Sequence, residues 1–346
     1  QLDEAGNAGP TFLLKKDPAA QDTTAKKKKY KPKISGLIAM YYQNEFNTNG
    51  DSLRDPDGFR LFKARLEVQG MMSEKIGYDI MIDPRTPLHG GLVRDAVLTF
   101  SHLKYHTIKV GRQKTPFGWE NLLSSAEMLT VNRSEVAEGV GRGDNLRDNG
   151  IGIIGRIPIN KHFSIDDHFT FTNGTRLDVT GPYDFNSGKA FWGRVGIRYK
   201  KKDLKVQLGG SFGEGELRLL GDSLDNPNDD IQMKIHRLGA DLQVDHKHFF
   251  MAAEYGKGRD LAQDSTEFDE YSSWQALLAV KTKWKVGALV RYEWAGDEWN
   301  IPTFGLYYGE PKDRFRAIAN YLIRKGVTDV PEGHDDRFYV MVQVRF

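Results

Sequence analysis

Cysteine is absent from the 346 residues. That excludes thiol nucleophiles, Cys-ligated zinc, iron–sulfur clusters and disulfides. No run of about 18 apolar residues occurs, so no helix is expected to cross a membrane. Charge of one sign is also missing: 49 Lys+Arg against 47 Asp+Glu leave a formal +2, not the basic domain that nucleic acid demands. Proline is sparse, at 13 residues. Few stretches follow the helical period of 3.6, and the best, Ser124 to Arg133, lies inside a long connector. Helix-rich enzymes and doubly wound nucleotide-binding folds are therefore not expected. Aromatics are plentiful, with 19 Phe, 14 Tyr and 6 Trp, so the chain has the means to bury surface and is not a disordered polymer. Glycine reaches 36 residues, in keeping with strands that bend into closed barrels. There is neither an initiator Met nor an apolar signal segment, and Gln1 is expected to begin a mature, processed chain.

Residues 1–32 show no periodicity and carry the run Lys26 to Lys29; they read as a flexible lysine-rich tail. From Lys33 onward the period is two. Phe338, Val340, Val342, Val344 and Phe346 share one parity, and Arg337, Tyr339, Met341, Gln343 and Arg345 the other. Phe315, Ala317, Ala319, Tyr321 and Ile323 oppose Arg314, Arg316, Asn320 and Arg324 in the same way. Phe62, Ala64, Leu66 and Val68 oppose Lys63, Arg65, Glu67 and Gln69. Alternation of this kind gives each strand a greasy face and a polar face. Two segments read less cleanly: 33–45 is apolar on both parities from Ile34 to Tyr42, and 148–157 is rich in glycine.

Sixteen strands are expected, at 33–45, 59–71, 75–84, 92–102, 106–113, 148–157, 162–173, 188–200, 204–213, 234–245, 248–258, 273–283, 285–295, 301–309, 313–323 and 337–346. Fourteen or eighteen would also suit the pattern. Connectors alternate between short, such as 103–105 and 201–203, and long, such as 46–58 and 114–147. Aromatics gather near strand ends, at Tyr41, Tyr199, Trp274, Trp284, Trp294 and Tyr308. Asymmetric loops, alternating strands and aromatic ends together point to an all-β, closed antiparallel transmembrane barrel over 33–346. A soluble sandwich would alternate too, but without the loop asymmetry. Both termini fall at the short-turn end, expected to be periplasmic, in a bacterial outer membrane.

A barrel of this size encloses an aqueous lumen. Its polar parity offers Lys63, Arg65, Arg194, Arg198, Lys205, Arg237, Arg291, Arg314, Arg316, Arg337 and Arg345 as basic groups. The acidic ones are fewer: Glu67, Asp79, Asp95, Asp241 and Glu293. A basic lumen lowers the barrier to anions, and arginine grips oxyanions bidentately. The connector 114–147 is the longest, third among the long loops, and is expected to fold into the lumen as a constriction lined by Ser124, Ser125, Glu127, Asn132 and Arg133. An extracellular lid is the alternative for it.

Other signals are weaker. The acidic group Asp222, Asp225, Asn228, Asp229 and Asp230 lacks the spacing of a calcium loop and reads as solvated. His246 and His248 flank a turn. Gly139, Gly141 and Gly143 have no strand-to-helix context for a phosphate cradle. No Ser–His pair stands at matching strand heights, so no hydrolase is expected. No cofactor or metal is expected.

The stretch Gly111 to Ser134 (GRQKTPFGWENLLSSAEMLTVNRS) resembles the phosphate-selective porin O and P family, in which a strand ending Gly-x-x-Lys-x-Pro-Phe runs into a loop with Ser-Ser before Arg-Ser. Phe59 to Asp83 resembles that family's second and third strands, and the terminal strand ending in Phe346 its last. The resemblance implies a 16-stranded outer-membrane porin constricted by its third loop. It also implies Phe346 as part of the signal read by the barrel-assembly machinery. Members selective for phosphate use a ladder of lumen arginines and lysines, which this sequence does not match position by position. The expected function is passive diffusion of small hydrophilic solutes with a preference for anions such as phosphate. The expected partners are outer-membrane lipids, small anions and, as an assembly, a homotrimer or larger envelope complex, with no nucleic acid. An accessory barrel with a plugged lumen is the alternative.

Overall fold

A computed structural model describes residues 30–47, 57–85, 92–140, 147–174, 188–219, 231–262, 265–296, 299–326 and 335–346. The tail signals of residues 1–29 and the acidic group Asp222 to Asp230 lie outside the described residues.

Strands β1 (Lys33–Asn47), β2 (Gly58–Met71), β3 (Ile76–Ile82), β4 (Val93–Phe100), β5 (His106–Lys114), β6 (Arg147–Pro158), β7 (Phe163–Thr172) and β8 (Ala190–Lys201) pair each with the next, all antiparallel. So do β9 (Leu204–Leu219), β10 (Ile231–Asp245), β11 (Phe249–Ala262), β12 (Asp269–Lys281), β13 (Val286–Ala295), β14 (Trp299–Tyr308) and β15 (Phe315–Leu322). The two residues of β16 (Lys325–Gly326) continue β15 along β14, and β17 (Asp335–Arg345) pairs with β15 on one side and β1 on the other. The ring is therefore a closed barrel of sixteen strands. Its seam is finished by Gly36 and Phe346, whose backbones exchange hydrogen bonds of 2.9 and 3.2 Å. The Phe346 ring covers Gly36 so closely that a methyl group there would overlap it, the arrangement in which an aromatic shields a strand glycine.

Parity behaves as alternation requires. Along β17, Val340, Val342 and Val344 are exposed on the outer surface while Tyr339, Met341 and Gln343 are buried inside. Exceptions have local causes. At Phe62 the register with β1 slips, pairing Ala39 with Lys63 but Met40 with Leu61. This bulge turns Phe62 inward, so its expected outer position is corrected. Tyr41 likewise faces inward and packs edge-on against Phe62 and Tyr339, at 5.5 and 5.6 Å, and does not join an outer girdle. Strands β9 to β12 run taller on the long-loop side than alternation suggested. Their outer faces there carry charge pairs, His236 with Glu214 and both Lys257 and Arg259 with Glu270, so the greasy-polar contrast used to find strands disappears.

The segment 124–133 is not helical. The single helical turn in 115–140 is of π type and lies at Val136–Val140. Within 124–133 one backbone turn forms, from the Glu127 N–H to the Ser124 carbonyl at 2.9 Å, and side chains of the barrel wall take other backbone groups. Arg316 takes the carbonyls of Ala126 and Met128, at 2.7 and 2.8 Å, and Asn320 takes the Val131 N–H at 2.7 Å.

Candidate constriction of the lumen

The connector after β5 folds inside the barrel, and the wall holds it residue by residue. Gly118 donates its N–H to Ser211 on β9 at 3.0 Å. Its φ of +69 suits glycine, and a side chain there would overlap the Glu254 carboxylate. That carboxylate, on β11, accepts the Trp119 and Glu120 N–H groups at 2.9 and 3.3 Å. Glu120 in turn accepts both the N–H and the hydroxyl of Ser134, at 2.8 and 2.6 Å, closing the loop on itself. Gln275 on β12 donates to Glu120 and Glu254. On β13, Glu293 accepts the Glu135 N–H at 2.7 Å, and Arg291 reaches the Thr130 hydroxyl, the Asn132 carbonyl and Glu293.

Packing reinforces these bonds in two places. Val131 joins Ala39, Leu277, Ala279, Leu289, Tyr307, Ile318, Tyr339 and Met341 in one buried cluster. Phe117 and Val140 join Ala190, Trp192, Leu217 and Ile235 in another, with the Phe117 and Trp192 rings edge-on at 6.2 Å. An inner wall that should be polar in a water-filled barrel thus carries apolar patches at the two places where the loop packs against it. This accounts for the doubly apolar reading of β1, where Leu37, Ala39 and Tyr41 face inward.

The predicted constriction residues take different positions. Ser125 is buried and held by Arg65 at 2.7 Å, whereas Ser124 is exposed. Glu127 is half-buried, and burial pushes its carboxyl above the usual carboxylate range against the pull of Arg345, Lys312, Arg316 and Lys114. Asn132 and Arg133 border a small cavity of 60 Å³ with Glu135, Arg291 and Glu293. Arg133 is buried and spends its guanidinium on the loop itself, donating to the carbonyls of Glu120 and Leu123.

Among the predicted basic lumen residues, Arg237, Arg291 and Arg316 are 0–1% exposed and bind loop backbone, Arg237 at the Val140 carbonyl. They are fasteners and not open charges. Arg194 pairs with Asp241 at 2.6 Å, Arg65 with Asp83 at 3.3 Å, and Arg198 with Asp166 at 2.7 Å. Lys63 is buried beside the Phe62 ring. Lys205 reaches Asp245. Arg314 lies in the turn before β15 and is exposed. Sequence reading missed Lys109 and kept Arg147 in the connector 114–147, whereas Arg147 opens β6; the two flank Asp95, which Arg147 binds at 3.1 Å. It also missed the anchors Glu120, Glu254 and Gln275. Glu254 and Gln275 stand on polar parity inside strands, the one signal available for them.

Phosphate-selective porin O and P is the family whose model matches this chain, over residues 38–266. No curated protein sequence matches. Among solved structures, a loop-deletion form of the outer membrane protein OmpT of Vibrio cholerae is 11% identical, with a TM-score of 0.63 over 92% of this chain and 99% of that one. An anion-selective porin from Comamonas acidovorans is 14% identical, with a TM-score of 0.55 over 92% and 99%. The outer membrane channel DcaP of Acinetobacter baumannii is 13% identical, with a TM-score of 0.57 over 93% and 99%. These likenesses fix the fold, and the family match covers well over half the sequence. The chain belongs to the phosphate-selective porin O and P family: it is an outer-membrane porin, a barrel for passive diffusion of small hydrophilic solutes.

Proposed function

We propose that solutes pass along the arc of wall from β2 to β8 and that small anions are preferred there. The observation that carries this reading is the charge left on that arc once the loop has taken its fasteners. With Lys114 also spent on the loop carbonyls of Asn121 and Leu123, the bases Lys63, Arg65, Lys109, Arg147, Arg156, Arg194 and Arg198 face a slightly smaller set of acids, Glu67, Asp79, Asp83, Asp95, Asp148 and Asp166. An excess of guanidinium and ammonium groups in a narrow, low-dielectric passage favours anions over cations. Phosphate, as a bidentate acceptor, would exchange with the carboxylates that Arg147, Arg156 and Arg194 each grip with two nitrogens. Ser125, Glu127, Asn132 and Arg133 set the narrowest level. No chemical step occurs. The termini, at the short-turn end, are periplasmic; Phe346 serves barrel assembly; lipids surround the outer band. A homotrimer is the proposed assembly, and one relative, OmpT of Vibrio cholerae, has been solved in a trimer form.

Planar-bilayer recording across a salt gradient tests the reading. The reversal potential is expected to have the sign of an anion-preferring pore, and a cation-preferring sign overturns the preference. The tight packing of 115–140 supports a second reading, an accessory barrel whose lumen is plugged, and absence of single-channel current would favour it.

A further inference from the structure

We propose that a cavity at the short-turn end of the lumen is a binding site for a small amphipathic organic anion, an apolar body bearing one carboxylate. The cavity measures 430 Å³ and lies between the underside of the loop, the lower ends of β8–β12 and the turn after β14. Sites for small organic ligands commonly fall between 300 and 1,000 Å³, mostly apolar with a few placed polar groups.

Its apolar wall is the open edge of the larger buried cluster. Leu277 and Tyr307 belong to that cluster, and Leu129 and Phe250 pack against it. Trp119 extends the surface, its ring 5.6 Å from that of Phe250. The Tyr307 hydroxyl donates to the Val280 carbonyl at 2.8 Å, so the ring presents carbon and not oxygen to the cavity. A core edge left open inside a hydrated barrel is what an apolar ligand covers.

Charge is placed on one side. Lys205 and Lys281 both reach a single carboxylate, Asp245, at 3.3 and 2.5 Å, so two ammonium groups meet one negative charge. Arg198 stands beside them, paired with Asp166, and Glu120 lines the cavity from the loop, where it is taken up by Ser134 and Arg291. On the opposite side Glu127 and Glu310 are accompanied by Lys312, with Arg316 and Arg345 also acting on Glu127. The anionic head is therefore assigned to Lys205 and Lys281, and the body to Trp119, Phe250 and Leu129. This goes beyond passage through the pore: saturable binding requires no current, so each can fail without the other.

The test is calorimetric titration of the full chain in neutral-lipid nanodiscs, with empty nanodiscs as the partition background. Three probes separate the contributions: 2-naphthoate, the uncharged 2-naphthamide, and acetate. Naphthoate is expected to saturate one site, naphthamide to bind at least about tenfold more weakly, and acetate not to saturate. Lys281→Gln and Phe250→Leu are each expected to weaken naphthoate about tenfold, with Lys205→Gln as the substitute if Lys281→Gln does not form a folded barrel. Naphthamide binding as tightly as naphthoate, acetate saturating equally well, variants that bind unchanged, or no binding above empty nanodiscs would each overturn the assignment.

Discussion

The two halves of the lumen are built from the same alternating strands yet are physically different. On β12 to β17 the inward positions include the apolar Leu277, Ala279, Leu289, Tyr307, Ile318, Tyr339 and Met341, nearly sealed from solvent, and between them the polar Gln275, Arg291, Glu293, Arg316 and Asn320 that hold the loop. On β3 to β7 they are Asp79, Thr99, Lys109, Gln113, His168, Thr170 and Thr172. Both halves turn greasy side chains outward. Alternation therefore says which side chains enter the barrel but not what meets them there. In one half the inner face meets a folded loop and behaves as a protein core. In the other it meets other polar groups, as Asp79 meets Gln69 and Arg147 meets Asp95.

The comparison is broken most forcefully at Arg291. Its guanidinium ties Thr130, Asn132 and Glu293 together while almost fully buried. Arg291→Ala leaves the buried Glu293 and Glu120 carboxyls without their cation, and breaking a buried pair costs on the order of 3–5 kcal/mol. A lower unfolding temperature and new protease cleavage within 115–140 are expected; a loop that stays protected would mean the apolar cluster alone holds it. A smaller effect is expected from charge reversal at the proposed constriction. Arg133→Glu should reduce anion preference, read as a shift in reversal potential, whereas Arg314→Glu, on an exposed turn, should leave it nearly unchanged. Equal shifts from both would place selectivity at the mouth and not at the constriction.

The smallest effect concerns Glu127. Burial raises its carboxyl affinity for protons in the folded barrel. As pH falls through that raised value, the negative charge facing Lys312, Arg316 and Arg345 disappears and the anion preference should rise. The same raised value means this group favours the folded state below the ordinary carboxylate range and loses that contribution as pH climbs through the raised one. Glu127→Gln should abolish the change in reversal potential over mildly acidic pH; a variant that keeps it points to another carboxylate.

The barrel itself was legible because period-two patterning is written by the solvent on each face. The seam at Phe346, the short-turn end and the third long loop all follow from it. Phe62 and Tyr41 were misplaced because one bulged residue reverses parity, and nothing in composition marks a bulge. The fasteners were legible only as charges. Arg237, Arg291 and Arg316 share parity and residue type with Arg194 and Arg198, and what separates them is a loop arriving from 97 to 190 residues away, as the bonds from Arg237 to Val140 and from Arg316 to Ala126 illustrate. The doubly apolar β1 was the trace of that packed half, because an inward Leu37 and Ala39 have no place against water.

Because the chain has no cysteine of its own, the division of the lumen can be probed one position at a time. Glu67→Cys on the polar arc and Met341→Cys beneath the loop would each be exposed to a charged, water-soluble thiol reagent during bilayer recording. The account predicts rapid modification and a step in current at position 67, with position 341 protected. Modification at position 341 as fast as at 67 would contradict it.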